Sequence, residues 1–271
     1  MTYSGFLAIF LIVPLLIMGG LTWRDRQQNV KLPSELQNWP AWLTLASHVL
    51  VALIYTTPWD NYLVATRVWW YDPRLVTGVV IGWVPIEEYI FFILQPLLTG
   101  LWLLFLARRL PVRPATDFGP AHLRRSSTSV AGLIWLVAVG ILVARWQPGI
   151  YLALELVWAL PPIMLQLAFG ADILWRHRRL VLLAWLPTIL YLSAADAVAI
   201  GAGTWTIDPA QSLNIFLGGI LPVEELLFFG LTNALLTFGM VLVLARQSQE
   251  RLNAELQRRP IWKSLTRSSV S

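Results

Sequence analysis

Two short strings in this chain bring carboxyl groups together inside apolar surroundings. Pro85-Ile86-Glu87-Glu88 and Pro222-Val223-Glu224-Glu225 each sit in a long apolar run, and each is followed by a phenylalanine pair, Phe91-Phe92 and Phe228-Phe229. A carboxylate deep in a bilayer costs about 2.5–3.5 kcal/mol on insertion scales, so two adjacent pairs need a reason. Proton chemistry is one: a crowded, desolvated pair can keep one member protonated while its neighbour is ionised, which places an acid and a base in one apolar chamber. Pro85 and Pro222 suit the first turn of a helix, which would set the glutamates at helix N-termini. There the helix dipole favours the ionised forms, and the balance between the two effects stays open at this level. A helix from Pro85 to Ala107 would already be about 34 Å long at 1.5 Å per residue, which moves the glutamates toward the edge of the hydrocarbon.

Phe91 and Phe92 lie three and four residues after Glu88, and Phe228 and Phe229 the same distance after Glu225, so each acid shares a helix face with an aromatic pair. Aromatic faces stabilise cations; simple packing or lipid contact is the plain alternative. Asp60 and Asp196 border apolar runs and are candidate supporting acids, whereas Asp72-Pro73 and Asp208-Pro209 read as turns. Glu155, inside another apolar run, suits either a proton relay or a hydrogen-bonded structural acid, and His48 suits packing or a local bond.

Absences narrow the chemistry. There is no Cys, which removes thiolate nucleophiles, disulfides and Cys-based metal sites. No G-x-G-x-x-G or Walker pattern supports a nucleotide cofactor, and no cluster reads as a metal site. The only lysines, Lys31 and Lys263, fall outside the apolar runs, which excludes a retinal Schiff base. The Asp-rich clusters of membrane prenyltransferases are also missing. No cofactor and no nucleic-acid partner is expected.

The elements that must position these residues are membrane helices. Of 271 residues 57% are hydrophobic and 13% charged, about half the charged share of soluble domains, and mean hydropathy is +0.63. Apolar runs near Ser4–Leu21, Trp42–Thr57, Gly78–Ala107, Val130–Ala144, Ile150–Gly170, Leu180–Ile200 and Leu213–Ala245 predict seven spans of an all-α polytopic protein. The first is expected to be retained, because Met1-Thr2-Tyr3-Ser4 lacks the basic start of a signal peptide. Alternating the loops puts 17 of the 20 basic residues on one side, which predicts an external N-terminus and a cytoplasmic C-terminus in the cytoplasmic membrane. Trp23, Trp39, Trp42, Trp59, Trp146 and Trp175 are expected in the interfacial belts. Pro111–Thr128 reads as a polar linker and Gln247–Ser271 as a basic tail, with a short surface helix over Ser248–Arg258.

The chain also resembles itself. Tyr3 and Pro14 recur as Tyr151 and Pro162; Asp60, Trp69 and Asp72-Pro73 recur as Asp196, Trp205 and Asp208-Pro209; and the Pro-x-Glu-Glu strings recur with their phenylalanines. Two three-helix repeats, within 1–110 and 149–246, are therefore expected, with residues 111–148 supplying a linker and an extra helix, and 247–271 a tail. The unmatched fourth span keeps both motifs on one membrane side, so the repeats should be parallel, with the site between them.

Together the duplicated unit, both Pro-x-Glu-Glu strings, the opening Met1-Thr2-Tyr3 and Asp72-Pro73 resemble the small membrane lycopene β-cyclases. That family includes bacterial heterodimers, fused archaeal and bacterial single chains, and the cyclase half of fungal bifunctional phytoene synthase/lycopene cyclases. This chain looks like the fused form. The resemblance implies cyclisation of the ψ end groups of lycopene to β-ionone rings, through γ-carotene to β-carotene, without net redox change. It assigns the acid and base roles to Glu87, Glu88, Glu224 and Glu225 without dividing them, and it implies lycopene, other carotenoids, membrane lipid and neighbouring carotenoid-pathway enzymes as partners. Two other readings compete: a cyclase for other rings or chain lengths, and a proton-coupled transporter with the glutamates as its proton sites.

Overall fold

A computed structural model describes residues 1–111, 120 and 122–258. Seven of its helices are long and apolar enough to cross a membrane, which marks an all-α polytopic membrane protein. In chain order they are α1 (Tyr3–Gln27), α2 (Ala41–Ala65), α3 (Ile86–Ala107), α4 (His122–Val143), α5 (Ile150–Arg176), α6 (Arg178–Gly201) and α7 (Val223–Leu244), followed by a polar α8 (Arg246–Arg258). α3 and α7 form the centre: α3 packs on α1, α2, α6 and α7, and α7 packs on α2, α5 and α6. α4 rests mainly on α5 and is otherwise the least buried span.

Four of the expected boundaries move. The apolar runs beginning at Gly78 and Leu213 do not start as helix; each first makes a β-hairpin, β2 (Val80–Ile81) with β3 (Val84–Pro85), and β5 (Phe216–Leu217) with β6 (Leu221–Pro222). Glycines at positive φ, Gly82 in the first turn and Gly218 and Gly219 in the second, permit these reversals. The second span does not stop at Thr57 but runs to Ala65, so Asp60 lies within a helix rather than closing one. The helix expected from Val130 begins at His122, inside the stretch read as linker; residues 112–119 and 121, with Arg113 and Asp117, lie outside the described residues. A third sheet joins distant parts of the chain. β1 (Trp69–Tyr71) pairs antiparallel with β4 (Trp205–Ile207), with Trp70 opposite Thr206 at the centre. The pairing is extended symmetrically by Asp72 N–H to the Thr204 carbonyl at 3.1 Å and Asp208 N–H to the Val68 carbonyl at 2.8 Å.

The prolines explain much of the aromatic content. A proline within a helix has no N–H for the carbonyl four residues earlier, and in hydrocarbon an unpaired carbonyl has no water to turn to. Four such carbonyls are taken by aromatic donors from other helices. Pro14 frees Phe10, which accepts from Tyr191 Oη at 3.0 Å; Pro161 frees Val157, which accepts from Trp135 Nε1 at 3.3 Å; Pro162 frees Trp158, which accepts from Tyr55 Oη at 2.8 Å; and Pro187 frees Leu183, which accepts from Trp102 Nε1 at 3.0 Å. These rings lock the bundle together. Of the residues expected in interfacial belts, Trp23, Trp39, Trp42, Trp146 and Trp175 are exposed, but Trp59 is turned inward onto Trp158 at 4.4 Å and Phe228 at 5.8 Å between ring centres.

At the end of the bundle away from the hairpins, each half has a buried aspartate held by arginine. Asp25 accepts from Arg109 at 2.6 and 2.9 Å and from Arg108 at 3.4 Å. Asp172 is paired with Arg251 of α8, which also binds the Phe169 carbonyl. The tail helix expected on the surface is thus anchored, with Gln247, Ser248 and Arg251 buried; residues 259–271, with the basic Arg259, Lys263 and Arg267, lie outside the described residues. His177, buried between α5 and α6, has its pKa depressed to about 4 by desolvation and by Arg176.

Trp102→Phe keeps an aromatic ring, though a smaller one, and removes the donor to the Leu183 carbonyl. It should lower stability by about 1–3 kcal/mol, read as a fall in the thermal midpoint in detergent, while Trp42→Phe at an exposed position should leave the midpoint nearly unchanged.

Candidate active site

The hairpins set how each glutamate pair is presented. Pro85 and Pro222 cap α3 and α7 from just outside the helix, in extended conformation, so the glutamates fall at the second and third helical positions. The first hairpin is fixed by Asn61 of α2. Its Oδ1 accepts from Trp83 N–H at 2.8 Å, and its amide fills the space where a side chain on Gly82 would stand.

Within each pair the two carboxyls have separate surroundings. Glu87 turns back to the preceding loop and accepts from Thr77 N–H at 2.6 Å and Thr77 Oγ1 at 3.1 Å. Glu224 does the same with Leu213 N–H at 2.7 Å. Both are buried, and neither lines the chamber. Glu88 and Glu225 face inward into one cavity of about 50 Å³ shared by both halves. Glu88 Oε2 accepts hydrogen bonds from Tyr3 Oη and, at 3.0 Å, from Tyr71 Oη. Glu225 Oε1 accepts from Tyr151 Oη at 2.6 Å. Burial, with Asp60 and Glu88 nearby, pushes the Tyr71 phenol well up from its usual range, so it remains a donor.

Tyr3 and Tyr151 are themselves held by their backbones, Tyr3 N–H on the Leu75 carbonyl at 2.8 Å and Tyr151 N–H on the Gln211 carbonyl at 3.0 Å. Those two loops turn at Asp72 and Asp208, whose side chains accept from Arg74 N–H at 2.9 Å and Ala210 N–H at 3.0 Å. The turn reading of both Asp-Pro strings is therefore correct. The Arg74 guanidinium beside Asp72 holds that carboxyl down at about 2.

Asp60 and Asp196 enter the same chamber. Asp196 Oδ1 accepts from Trp205 Nε1 at 3.0 Å, whereas neither oxygen of Asp60 has a hydrogen-bond partner among the described residues. All four phenylalanines line the walls, with Phe91 and Phe229 meeting edge to face at 6.4 Å across the two halves, so lipid contact does not describe them. Glu155 is buried but outside the lining, and its carboxyl oxygens likewise have no partner among the described residues. Four residues that hold the acids went unassigned to the site at the level of sequence. Tyr3, Tyr151 and Trp205 carried only the repeat signal, while Tyr71 carried none, since its counterpart by the same spacing is Ile207.

A second, more apolar cavity of about 270 Å³ adjoins the first, and Phe91, Phe92 and Phe228 line both. Ser47, Val51 and Tyr55 of α2 and Trp158, Pro162 and Gln166 of α5 form its sides. His48 also borders it, with Nδ1 2.7 Å from the Thr44 carbonyl, the local bond expected for it. Below the chamber, Asn233 Oδ1 of α7 accepts from Gln95 Nε2 at 3.0 Å and Thr99 Oγ1 at 2.6 Å of α3, which sets the level of one central helix against the other. Among the described residues, no group of three His, Cys, Asp or Glu side chains is arranged to hold a metal ion.

Comparison with known proteins agrees with this arrangement. The lycopene cyclase family model matches residues 1–106 and 148–244. A lycopene beta-cyclase of Halobacterium salinarum is 42% identical over 200 residues, covering 72% of this chain and 81% of that protein. Bifunctional lycopene cyclase/phytoene synthases of Podospora anserina and Aspergillus niger are 34% and 35% identical, covering 73% and 71% of this chain but 34% and 33% of those longer proteins. No solved structure matches the chain significantly. With both halves of the bundle matched and the carboxyl chamber between them, the chain belongs to the lycopene cyclase family.

Proposed function

We propose that this protein is a membrane lycopene β-cyclase, and that the chamber between α3 and α7 is where the ring closes. One observation carries the reading: inward-facing carboxyls from both halves, Glu88 and Glu225 with Asp60 and Asp196, share a single cavity walled by Phe and Trp rings. Cyclising a ψ end group needs an acid to protonate the terminal alkene, protection for the tertiary cation while the neighbouring alkene attacks it, and a base to take the final proton. Positioned carboxyls supply the first and last steps as general acid–base catalysis, and ring faces stabilise the cation. No electron is gained or lost, so the chemistry asks for no redox partner.

Among the four glutamates, Glu88 and Glu225 touch the substrate in this reading. Glu87 and Glu224 are positioning residues that tie each hairpin loop to its helix. Phe91, Phe92, Phe228 and Phe229 shield the cation, and Asp60 and Asp196 support the proton transfers. Glu155, within electrostatic reach of Glu225 and Glu224, stands behind the chamber as a structural or relay acid. The polyene lies along the apolar cavity between α2 and α5, with its end group pushed past Phe91, Phe92 and Phe228 into the chamber.

The architecture that goes with this is two parallel three-helix repeats, α1–α3 and α5–α7, joined by α4. Support comes from the symmetric β1–β4 pairing about Trp70 and Thr206, from the two like hairpins, and from the family match, which leaves out residues 107–147. The corresponding division is 1–110, 111–148, 149–246 and 247–271. In the membrane the chamber end faces outward and the basic end, with α8, faces the cytoplasm; lipid covers the exposed apolar faces, and other carotenoid-pathway enzymes are neighbours rather than components of the site.

Expression in a lycopene-accumulating bacterium should convert lycopene to β-carotene through γ-carotene on a pigment chromatogram. Unchanged lycopene at normal protein level would remove the cyclase reading, and ε-rings would change the ring type. Ala52→Trp, which fills the apolar cavity away from the carboxyls, should cut ring formation between about tenfold and a hundredfold, as misplaced substrate does. A reporter fused after Ser271 should read as cytoplasmic, and one inserted at Gly203 as external.

A further inference from the structure

The two sides of the chamber are related in sequence but not in chemistry. On the α7 side, Glu225 and Asp196 line the same cavity, and Glu225 receives a single phenol, from Tyr151 at 2.6 Å. A buried carboxyl with one donor and a second acid in the same apolar cavity favours its protonated form, because its charge is both desolvated and repelled. Trp205 donates to Asp196 Oδ1 at 3.0 Å, which leaves Asp196 Oδ2 with no partner among the described residues.

On the α3 side the arrangement is different. Glu88 receives two phenol hydroxyls on the same oxygen, from Tyr3 and Tyr71. Two O–H donors on one oxygen hold a carboxylate as an ion and leave its Oε1 toward the cavity as an acceptor. Asp60 lines the cavity on this side, and its oxygens have no hydrogen-bond partner among the described residues. The difference traces to single residues. The spacing that matches Trp69 with Trp205 places Ile207 where Tyr71 stands, so the second half has no second phenol to offer Glu225.

We infer that Glu225, with Asp196 in the same cavity, is the proton donor that starts the ring and that Glu88, held by Tyr3 and Tyr71, is the base that ends it. The division rests on the cyclase reading above. In the first step the O–H bond of Glu225 breaks, a C–H bond forms at the terminal alkene, and the cation appears at the tertiary carbon. The internal alkene then closes the ring and moves the cation to the ring carbon that carries the methyl group. Glu88 Oε1 takes the proton from the adjacent carbon, whose C–H electron pair becomes the ring double bond. One proton has left Glu225 and one has reached Glu88, so atoms and electrons balance and the chamber resets by exchange with water.

Deuterated water separates the two roles. Purified protein with lycopene in D₂O, followed by mass analysis of every carotenoid recovered, should give wild-type rings carrying one deuteron each. Glu225→Gln should lower ring formation by roughly 10² to 10⁴-fold, the usual worth of a positioned acid, and leave recovered lycopene unlabelled. Glu88→Gln should lower β-ring formation to a similar degree yet still place deuterium in recovered lycopene, or in rings closed by loss of a proton from another carbon. Asp196→Asn should follow the first pattern and Tyr71→Phe, in milder form, the second, which keeps the division testable if one glutamate variant fails to fold. The opposite labelling pattern, or Glu88→Gln that gives neither labelled lycopene nor rings closed by loss of another proton, would overturn the division while leaving the cyclase reading intact. Wild-type protein that makes no ring at all would overturn the cyclase reading itself.

Discussion

Carboxyl groups inside an apolar bundle must each find a donor, a shared proton or a reactive partner, and the structure is organised around that requirement. Isolated in hydrocarbon, each acid would be costly enough to exclude it from a helix. Glu87 and Glu224 meet it with backbone N–H groups from their own loops, Glu88 and Glu225 with tyrosine hydroxyls, and Asp196 with an indole. Asp60 and Glu155 have no such partner among the described residues. The donors come from α1, α5, β1 and the segment after α6, so the acids can be housed only once the helices of both halves have assembled. Chamber and fold are one cooperative unit for that reason.

The same rule shapes the rest of the bundle. Prolines bend membrane helices and release carbonyls; here four of those carbonyls are bonded by Tyr or Trp side chains from neighbouring helices. Aromatic residues thus act as interhelical hydrogen-bond donors as well as packing volume. At the opposite end, Asp25 and Asp172 perform the reverse task, gathering arginines that would otherwise need water. Between these ends the Gln95–Thr99–Asn233 cluster holds α3 and α7 level, which keeps Glu88 and Glu225 facing one cavity.

The division of labour within each Pro-x-Glu-Glu string follows from helix geometry. Adjacent residues on a helix point about 100° apart, and the loop N–H groups of Thr77 and Leu213 draw one glutamate of each string away from the chamber. One is directed back toward the hairpin and stabilises the loop, and the other is directed inward. A pair that reads in sequence as a single unit is in the fold one loop-bound and one chamber-facing carboxyl, and the two chamber-facing carboxyls come from α3 and α7 into one cavity. The short cavity beside a longer apolar one suits a substrate with a compact reacting end and a long inert body.

From the sequence alone came the membrane class, the count of seven spans, and both glutamate strings with the aromatic pairs beside them as candidates, because hydrophobic length and duplicated charge in apolar runs are one-dimensional signals. The Asp-Pro turns were also legible, since an aspartate beside proline acts on its own backbone. Hairpins ahead of α3 and α7 were not legible, because Val, Ile, Leu and Phe fill strands as readily as membrane helices and only the positive-φ glycines tell them apart. Nor was the position of Trp59, which faces the chamber because Trp158 and Phe228 come to meet it from α5 and α7. Which glutamate of each pair turns inward, and which phenols reach it, depended on contacts between residues as far apart as Tyr3 and Glu88. Local spacing carries no record of such contacts, so these were decided only when the helices packed.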